Sequence, residues 1–220
     1  KCTIHEKDLA CWVFFFAKNI LIIVLISMSF QKYNKILDIF LNNLIPETKI
    51  SVSKGNKIFG AFVLNKIDLS LVVTGVNNEI ENPIYHGEIS TIINFFKLRN
   101  LNPENYLFVS SHEPCSLCLS AITWSGFDNF YYLFHYEETE STFNIPYDLK
   151  ILKEVFKIDK GQYSKNNTFW QSYSIIEEIK KLQNSENDKL LAKIKEINKL
   201  YEDISNNYQS AKNSNHIPLK

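Results

Sequence analysis

Two short clusters hold the residues best suited to chemistry. His86-Gly87-Glu88 puts an imidazole and a carboxylate two positions apart, and Pro114-Cys115-Ser116-Leu117-Cys118 puts two thiols three positions apart. Zinc takes nitrogen and thiolate donors in tetrahedral geometry, and a set of three protein donors leaves one position for water. Water held there loses its proton near pH ~7. His86, Cys115 and Cys118 supply such a set. Two cysteines spaced this way at a helix start share one face, and the positive helix end favours their thiolates. Glu88 suits a step in which one group both accepts and donates a proton. Two other arrangements are open to the same residues. His112, three positions before Cys115, could be a fourth ligand and close the site. The Cys-x-x-Cys pair could be a redox couple, which leaves His86 and Glu88 without a role.

Both clusters fall where helices should begin. The apolar pattern predicts a helix over His86–Arg99 and another over Cys115–Ser125, ended by Gly126. Between them Tyr106–Ser110 (YLFVS) reads as a short buried strand. Lys57–Leu64 and Leu69–Thr74 read as strands joined by an NKID turn, and Asn129–His135 as another strand. Gln31–Leu44 carries Tyr33, Ile36, Leu37, Phe40 and Leu44 at helical spacing. Pro146 at the first helical position opens a helix to about Phe156. Gly161–Thr168 is a polar loop, and Phe169–Leu182 is expected to be helical. Leu190, Ile194, Ile197, Tyr201 and Ile204 alternate spacings of four and three. Two heptads are too few for a coiled coil, so this helix should lie on the domain or on a partner subunit. Asn206–Lys220 is expected to be disordered. Strands alternating with helices give an α/β sandwich.

The bulk properties bound the partners. Lys plus Arg and Asp plus Glu both number 24 in 220 residues, so the formal net charge is zero and no global basic field gathers nucleic acid. The four cysteines do not form the pattern of a small disulfide-stapled domain. A reducing, cytoplasmic setting suits metal-bound thiolates. Ala10–Phe30 is the most apolar stretch and approaches the ~20 residues that cross a bilayer, but Lys18 and Asn19 interrupt it. It reads as a membrane anchor, as a signal sequence, or as residues upstream of a true start at Met28, the only methionine.

At the two clusters the chain resembles the cytidine deaminase-like superfamily. The pattern matches the H-x-E…P-C-x-x-C signature of zinc deaminases. HGEIST at 86–91 is similar to the cytosine deaminase motif, and EPCSLCLSAI at 113–122 to the motif of guanine and tRNA adenosine deaminases. The resemblance runs over Gly60–Tyr136. It implies a three-layer α/β/α sandwich around a mixed five-stranded sheet, one Zn2+ per subunit and a homodimer. It also implies that Asn77, in Gly75-Val76-Asn77, holds the base and that the backbone N–H of Cys115 stabilises developing negative charge. The organisation expected is a hydrophobic extension over 1–28, a zinc deaminase domain over 29–183, and a helical then disordered tail over 184–220.

Three functional readings follow. The first is hydrolytic deamination of a nucleobase, nucleoside or related small heterocycle, attacking the C–N bond of a cyclic amidine. The second is deamination of tRNA or single-stranded nucleic acid, opposed by the acidic HYEETEST run at 135–142, which repels phosphate. The third is an inactive binding module kept folded by zinc, opposed by the presence of Glu88. Phe169 and Trp170 fall where related enzymes close an aromatic lid, though core packing serves these rings equally well. Phe130–Phe134 reads as a buried strand rather than a base-stacking surface.

Overall fold

The computed structural model describes residues 27–182 and 187–220. Helix α1 (27–39) passes through a π-helical turn at Phe40–Leu44 into α2 (Ile45–Ser53). Strands β1 (Gly60–Asn65) and β2 (Leu71–Val76) form an antiparallel hairpin. Its turn is held by Asn65, whose Oδ1 accepts from the Ile67 N–H, and by Leu69 in the left-handed region at φ 57°. Then follow α3 (Gly87–Lys97), β3 (Tyr106–His112), α4 (Ser116–Trp124) and β4 (Asn129–Phe134). Helices α5 (Tyr136–Ser141) and α6 (Tyr147–Phe156) lead to β5 (Gln171–Ser174), α7 (Ile175–Lys181) and α8 (Asn187–Ala211).

The five strands lie in the order β2-β1-β3-β4-β5. β1 is antiparallel to β2 and β3, whereas β3, β4 and β5 are parallel, so the sheet is mixed. Side chains alternate across a strand, and here the alternation divides the core in two. Phe62, Leu64, Val109, Tyr131 and Leu133 face Ile36, Phe40, Ile197 and Tyr201 on one side. Ala61, Val63, Phe108, Phe130 and Tyr132 face Phe95, Ile122 and Trp170 on the other. The result is the expected three-layer α/β/α sandwich. α3 crosses the sheet so closely that a Cβ on Gly87 would lie 2.5 Å from the Gly60 Cα. A side chain at Gly87 would push His86 and Glu88 away from the strand ends.

Two stretches differ from the sequence reading. Phe169–Leu182 is not one helix: Gln171–Ser174 pairs with the free edge of β4, and Tyr173 stacks on Tyr131 with ring centroids 4.8 Å apart. Ser174 then accepts a hydrogen bond from the Glu177 N–H and starts α7. An available strand edge overrides helical preference here, as tertiary context commonly does. The C-terminal stretch is also ordered. α8 runs on to Ala211 because Tyr208, four positions after Ile204, extends the buried stripe. Beyond it Asn215 Nδ2 donates to the Gly55 carbonyl, and Ile217 is buried. α8 lies on α2 and α7, as the plainer reading of its heptads expected. Of the apolar stretch Ala10–Phe30, residues 10–26 lie outside the described residues. Among the described residues no helix is long and apolar enough to cross a membrane.

Candidate active site

His86 is the N-cap of α3, and Cys115 is the N-cap of α4, both in extended backbone. Cys118 lies in the first turn of α4. The two helix starts meet at the end of the sheet where β1 begins and β3 finishes, so three donors from distant sequence converge. The Sγ atoms of Cys115 and Cys118 lie 3.4 and 3.6 Å from His86 Nδ1. Around a tetrahedral zinc with Zn–S of about 2.3 Å and Zn–N of about 2.0 Å, sulfur and nitrogen fall ~3.5 Å apart. The donors therefore fit the metal in number, type and spacing. Among the described residues they are the one group of His, Cys, Asp or Glu whose ligand atoms gather this way. His112 is not part of it, so among the described residues no fourth ligand closes the site.

Glu88 stands immediately beside the donors. Its carboxyl is almost fully buried; Oε1 accepts from Ser110 Oγ at 2.7 Å and Oε2 from Cys118 Sγ at 3.2 Å. Burial, reinforced by the charge of Cys115, pushes its pKa up, against the pull of Ser110. A raised pKa makes the carboxyl a stronger proton acceptor. The Cys115 thiol is held well below its usual range, by the hydrogen bond from Cys118 and by His86. Burial and the neighbouring charges of Cys115 and Glu88 raise Cys118. Burial lowers the pKa of His86, but Cys115, Glu88 and Glu79 outweigh it and lift it to about 9. The site thus gathers anionic groups around one imidazole, the electrostatics a cation would meet.

The turn before Cys115 is fixed from behind. Glu113 is buried, accepts from Tyr163 Oη at 2.9 Å and pairs with Lys165 Nζ at 3.0 Å. Tyr136 donates its hydroxyl to the Pro114 carbonyl.

A cavity of about 220 Å³ opens onto His86 and Cys115. Phe59, Ile145 and Ile151 give it apolar walls, Asp148 brings a carboxyl, and Ile217 and Leu219 of the C-terminal stretch stand at its rim. Burial and the proximity of Cys115 hold the Asp148 pKa well above the usual carboxylate range. A larger cavity of about 660 Å³ lies between α2 and the end of α8 and contains none of the metal donors.

Asn77, expected to hold a base, is fully buried and both ends of its amide are committed. Oδ1 accepts from the Gly87 N–H at 2.5 Å and Nδ2 donates to Glu79 at 2.9 Å. It is not among the residues lining the cavity; its visible work is to hold the start of α3. Trp170 packs in the core and donates Nε1–H to Thr123 at 2.8 Å, and Phe169 is exposed. Neither ring lines the cavity beside the donors. The residues that sequence reasoning missed are Asp148, Glu79 and the Ile217–Leu219 rim. Asp148 shows in the sequence only as an acidic residue in a first helical turn, a common capping signal.

The sandwich, the strand order, and a His/Cys/Cys donor set at two helix starts beside a buried carboxyl define a zinc site of the deaminase type. Residues 37–134 match the family described as the cytidine and deoxycytidylate deaminase zinc-binding region. This segment, which carries all three donors and Glu88, is what the chain shares with that family. Among solved structures it is similar to guanine deaminase from Nitrosomonas europaea, at 17% identity over 71% of this chain and 81% of that one, with a TM-score of 0.45. It is similar also to guanine deaminase from Bacillus subtilis, at 18% identity over 57% and 85% of the two chains, TM-score 0.42. A tRNA:A34 deaminase gives 16% identity over 60% and 95%, TM-score 0.40. No curated protein matches the sequence.

Proposed function

We propose that this chain hydrolytically deaminates a nucleobase, nucleoside or closely related small heterocycle, releasing ammonia. The observation that carries the reading is Glu88, a buried carboxyl 3.2 Å from Cys118 Sγ, directly beside the three-donor set. A purely structural zinc site has no use for it. Zinc held by His86, Cys115 and Cys118 supplies a Lewis acid and an activated water when bound. The chain's own part is proton handling and orientation. Glu88 accepts a proton from the attacking water and delivers it to the ring nitrogen next to the attacked carbon. After the carbon becomes tetrahedral, Glu88 takes the second proton from the new hydroxyl and passes it to the exocyclic amine. The C–N bond breaks, ammonia leaves, and the ring carries oxygen in place of nitrogen. Ser110 keeps the carboxyl aimed by its hydrogen bond to Oε1. The Cys115 backbone N–H, at the start of α4, supports the developing charge.

Size and charge favour a small substrate. The cavity of about 220 Å³ is smaller than the roughly 300–1,000 Å³ of drug-sized sites, and its apolar walls suit one flat ring. Asp148 offers that ring a carboxyl to hydrogen-bond. The acidic α5 beyond β4 disfavours a phosphate backbone. A reducing, cytoplasmic compartment keeps both cysteines available. A homodimer covers the apolar side chains left exposed on α3 and α4, Phe96 and Trp124 among them.

The test is the relative rate of ammonia release by zinc-loaded protein on free bases, nucleosides and a short single-stranded RNA. Turnover of a base or nucleoside, with none on RNA, is expected. Turnover confined to RNA, or none on any member, overturns the reading.

A further inference from the structure

Glu79 is a buried carboxylate that the chemistry above leaves without a role. It lies in the loop between β2 and α3 and is 2% exposed. Oε1 is 2.7 Å from Lys57 Nζ and 3.8 Å from His86 Nε2. Oε2 accepts from the Lys57 backbone N–H at 3.2 Å and from Asn77 Nδ2 at 2.9 Å. Lys57 is itself buried. A buried ion pair is a weak source of stability, because desolvating two charges consumes most of their attraction. Its retention beside a catalytic cavity calls for another reason.

The orientation of His86 supplies one. Its Nδ1 faces both cysteine sulfurs, so Nδ1 is the nitrogen whose lone pair meets a metal. The ring proton then belongs on Nε2, and Nε2 points at Glu79. A histidine that binds a metal through one nitrogen commonly donates its other N–H to a carboxylate, which fixes tautomer and ring angle and strengthens the ligand. The same carboxylate grips Asn77 Nδ2, and Asn77 Oδ1 in turn holds the N–H of Gly87, the residue after His86. One group thus stands 3.8 Å from the imidazole Nε2, in ion-pair range, and holds the start of the His86 helix through a single intermediary. Lys57 Nζ sets a counter-charge 2.7 Å from the carboxylate.

We infer that Glu79 is the positioning residue of the metal centre: it orients His86 through Nε2, sets Nδ1 as the ligand, and is anchored for that task by Lys57. This rests on the metal reading of His86, Cys115 and Cys118. Zinc affinity of the unaltered chain is therefore measured first, by competition with a chelator. Failure to bind zinc sinks the metal reading itself. If zinc binds, Glu79→Gln, which keeps the side-chain shape, is expected to weaken it about tenfold, and Glu79→Ala up to about a hundredfold. The visible absorption of the cobalt-substituted Glu79→Gln protein should shift, since the ligand field changes. Nitrogen NMR of the zinc-loaded unaltered chain should place the His86 proton on Nε2. The thermal midpoint of the metal-free variants separates the two roles. A lowered midpoint with zinc affinity within twofold of the unaltered chain and an unchanged cobalt spectrum would show that Glu79 only pairs with Lys57, and would overturn the inference. Should Glu79→Ala fail to fold, Glu79→Gln alone decides by the same criteria.

Discussion

His86 and His112 sit at the same end of the sheet, and both are largely enclosed by protein, yet their surroundings push them in opposite directions. Around His112 stand the rings of Phe59, Phe134, Phe143 and Tyr201, with centroids 4.7 to 5.4 Å away. Burial without an opposing charge drives its pKa down to about 3. Around His86 burial acts in the same sense, but Cys115, Glu88 and Glu79 reverse it and carry the pKa to about 9. Enclosure alone makes a histidine a neutral packing residue; enclosure with anionic neighbours makes it a cation site. A histidine three positions from the first cysteine looked able to complete a zinc tetrahedron, and the aromatic box around it explains why it does not.

The comparison can be broken most sharply at the charged end. Glu88→Gln keeps the shape of the pocket but removes the proton carrier. Turnover should fall by about a thousandfold, within the span of general acid–base catalysis, while zinc content stays near that of the unaltered chain. Turnover retained within tenfold would mean that Glu88 does not carry the proton.

At the apolar end, His112→Phe should leave zinc content and turnover within about twofold. Its effect belongs to stability in acid. The folded pKa of about 3 lies below the unfolded value near 6.5, so below pH 6.5 the unfolded chain takes up a proton that the folded chain refuses. Stability supplied by neutral His112 is therefore full above pH 6.5 and drains away as pH falls toward 3. By pH 4 the loss is on the order of 3 kcal/mol, and His112→Phe should abolish that part of the slope. Urea denaturation at pH 7 and pH 4 for both chains measures it. Equal slopes would show that His112 is not held neutral, and loss of zinc would restore it as a ligand.

Asp148→Asn sharpens the account of the pocket. If the carboxyl hydrogen-bonds the ring, kcat/KM should drop about ten- to thirtyfold, as expected for one polar contact left unmade. An unchanged value would reduce Asp148 to part of the wall. The smallest effect is expected at the rim: Leu219→Ser should raise KM about threefold, with kcat unchanged, through lost apolar contact. A fall in kcat instead would mean that the C-terminal stretch acts on the reacting groups.

The metal donors and Glu88 were legible in the sequence because each cluster is local. His86 and Glu88 open one helix, and Cys115 and Cys118 open another, so short spacings encode their placement. Four of the five strands could be read as well, since buried runs such as YLFVS and NFYYLF allow little else. β5 could not, because QSYS becomes a strand only against the open edge of β4. Glu79, Lys57 and Asp148 come from three separate segments, and nothing in their neighbours announces a shared cavity. Asn77 was singled out by resemblance alone, and its buried amide accepts from the Gly87 N–H at the start of α3. The tail was misread because asparagines after Ile204 look like a helix end, although Tyr208 keeps the stripe going.

The most direct test of the central claim is the mass of the product formed from a base or nucleoside by zinc-loaded protein, in ordinary water and in water labelled with oxygen-18. Hydrolytic deamination removes NH and adds O, so the product should be about one mass unit heavier than the substrate, and about three in labelled water. Glu88→Gln should yield none. A product without the label, or equal product from Glu88→Gln, would contradict the assignment of water as nucleophile and Glu88 as its proton carrier.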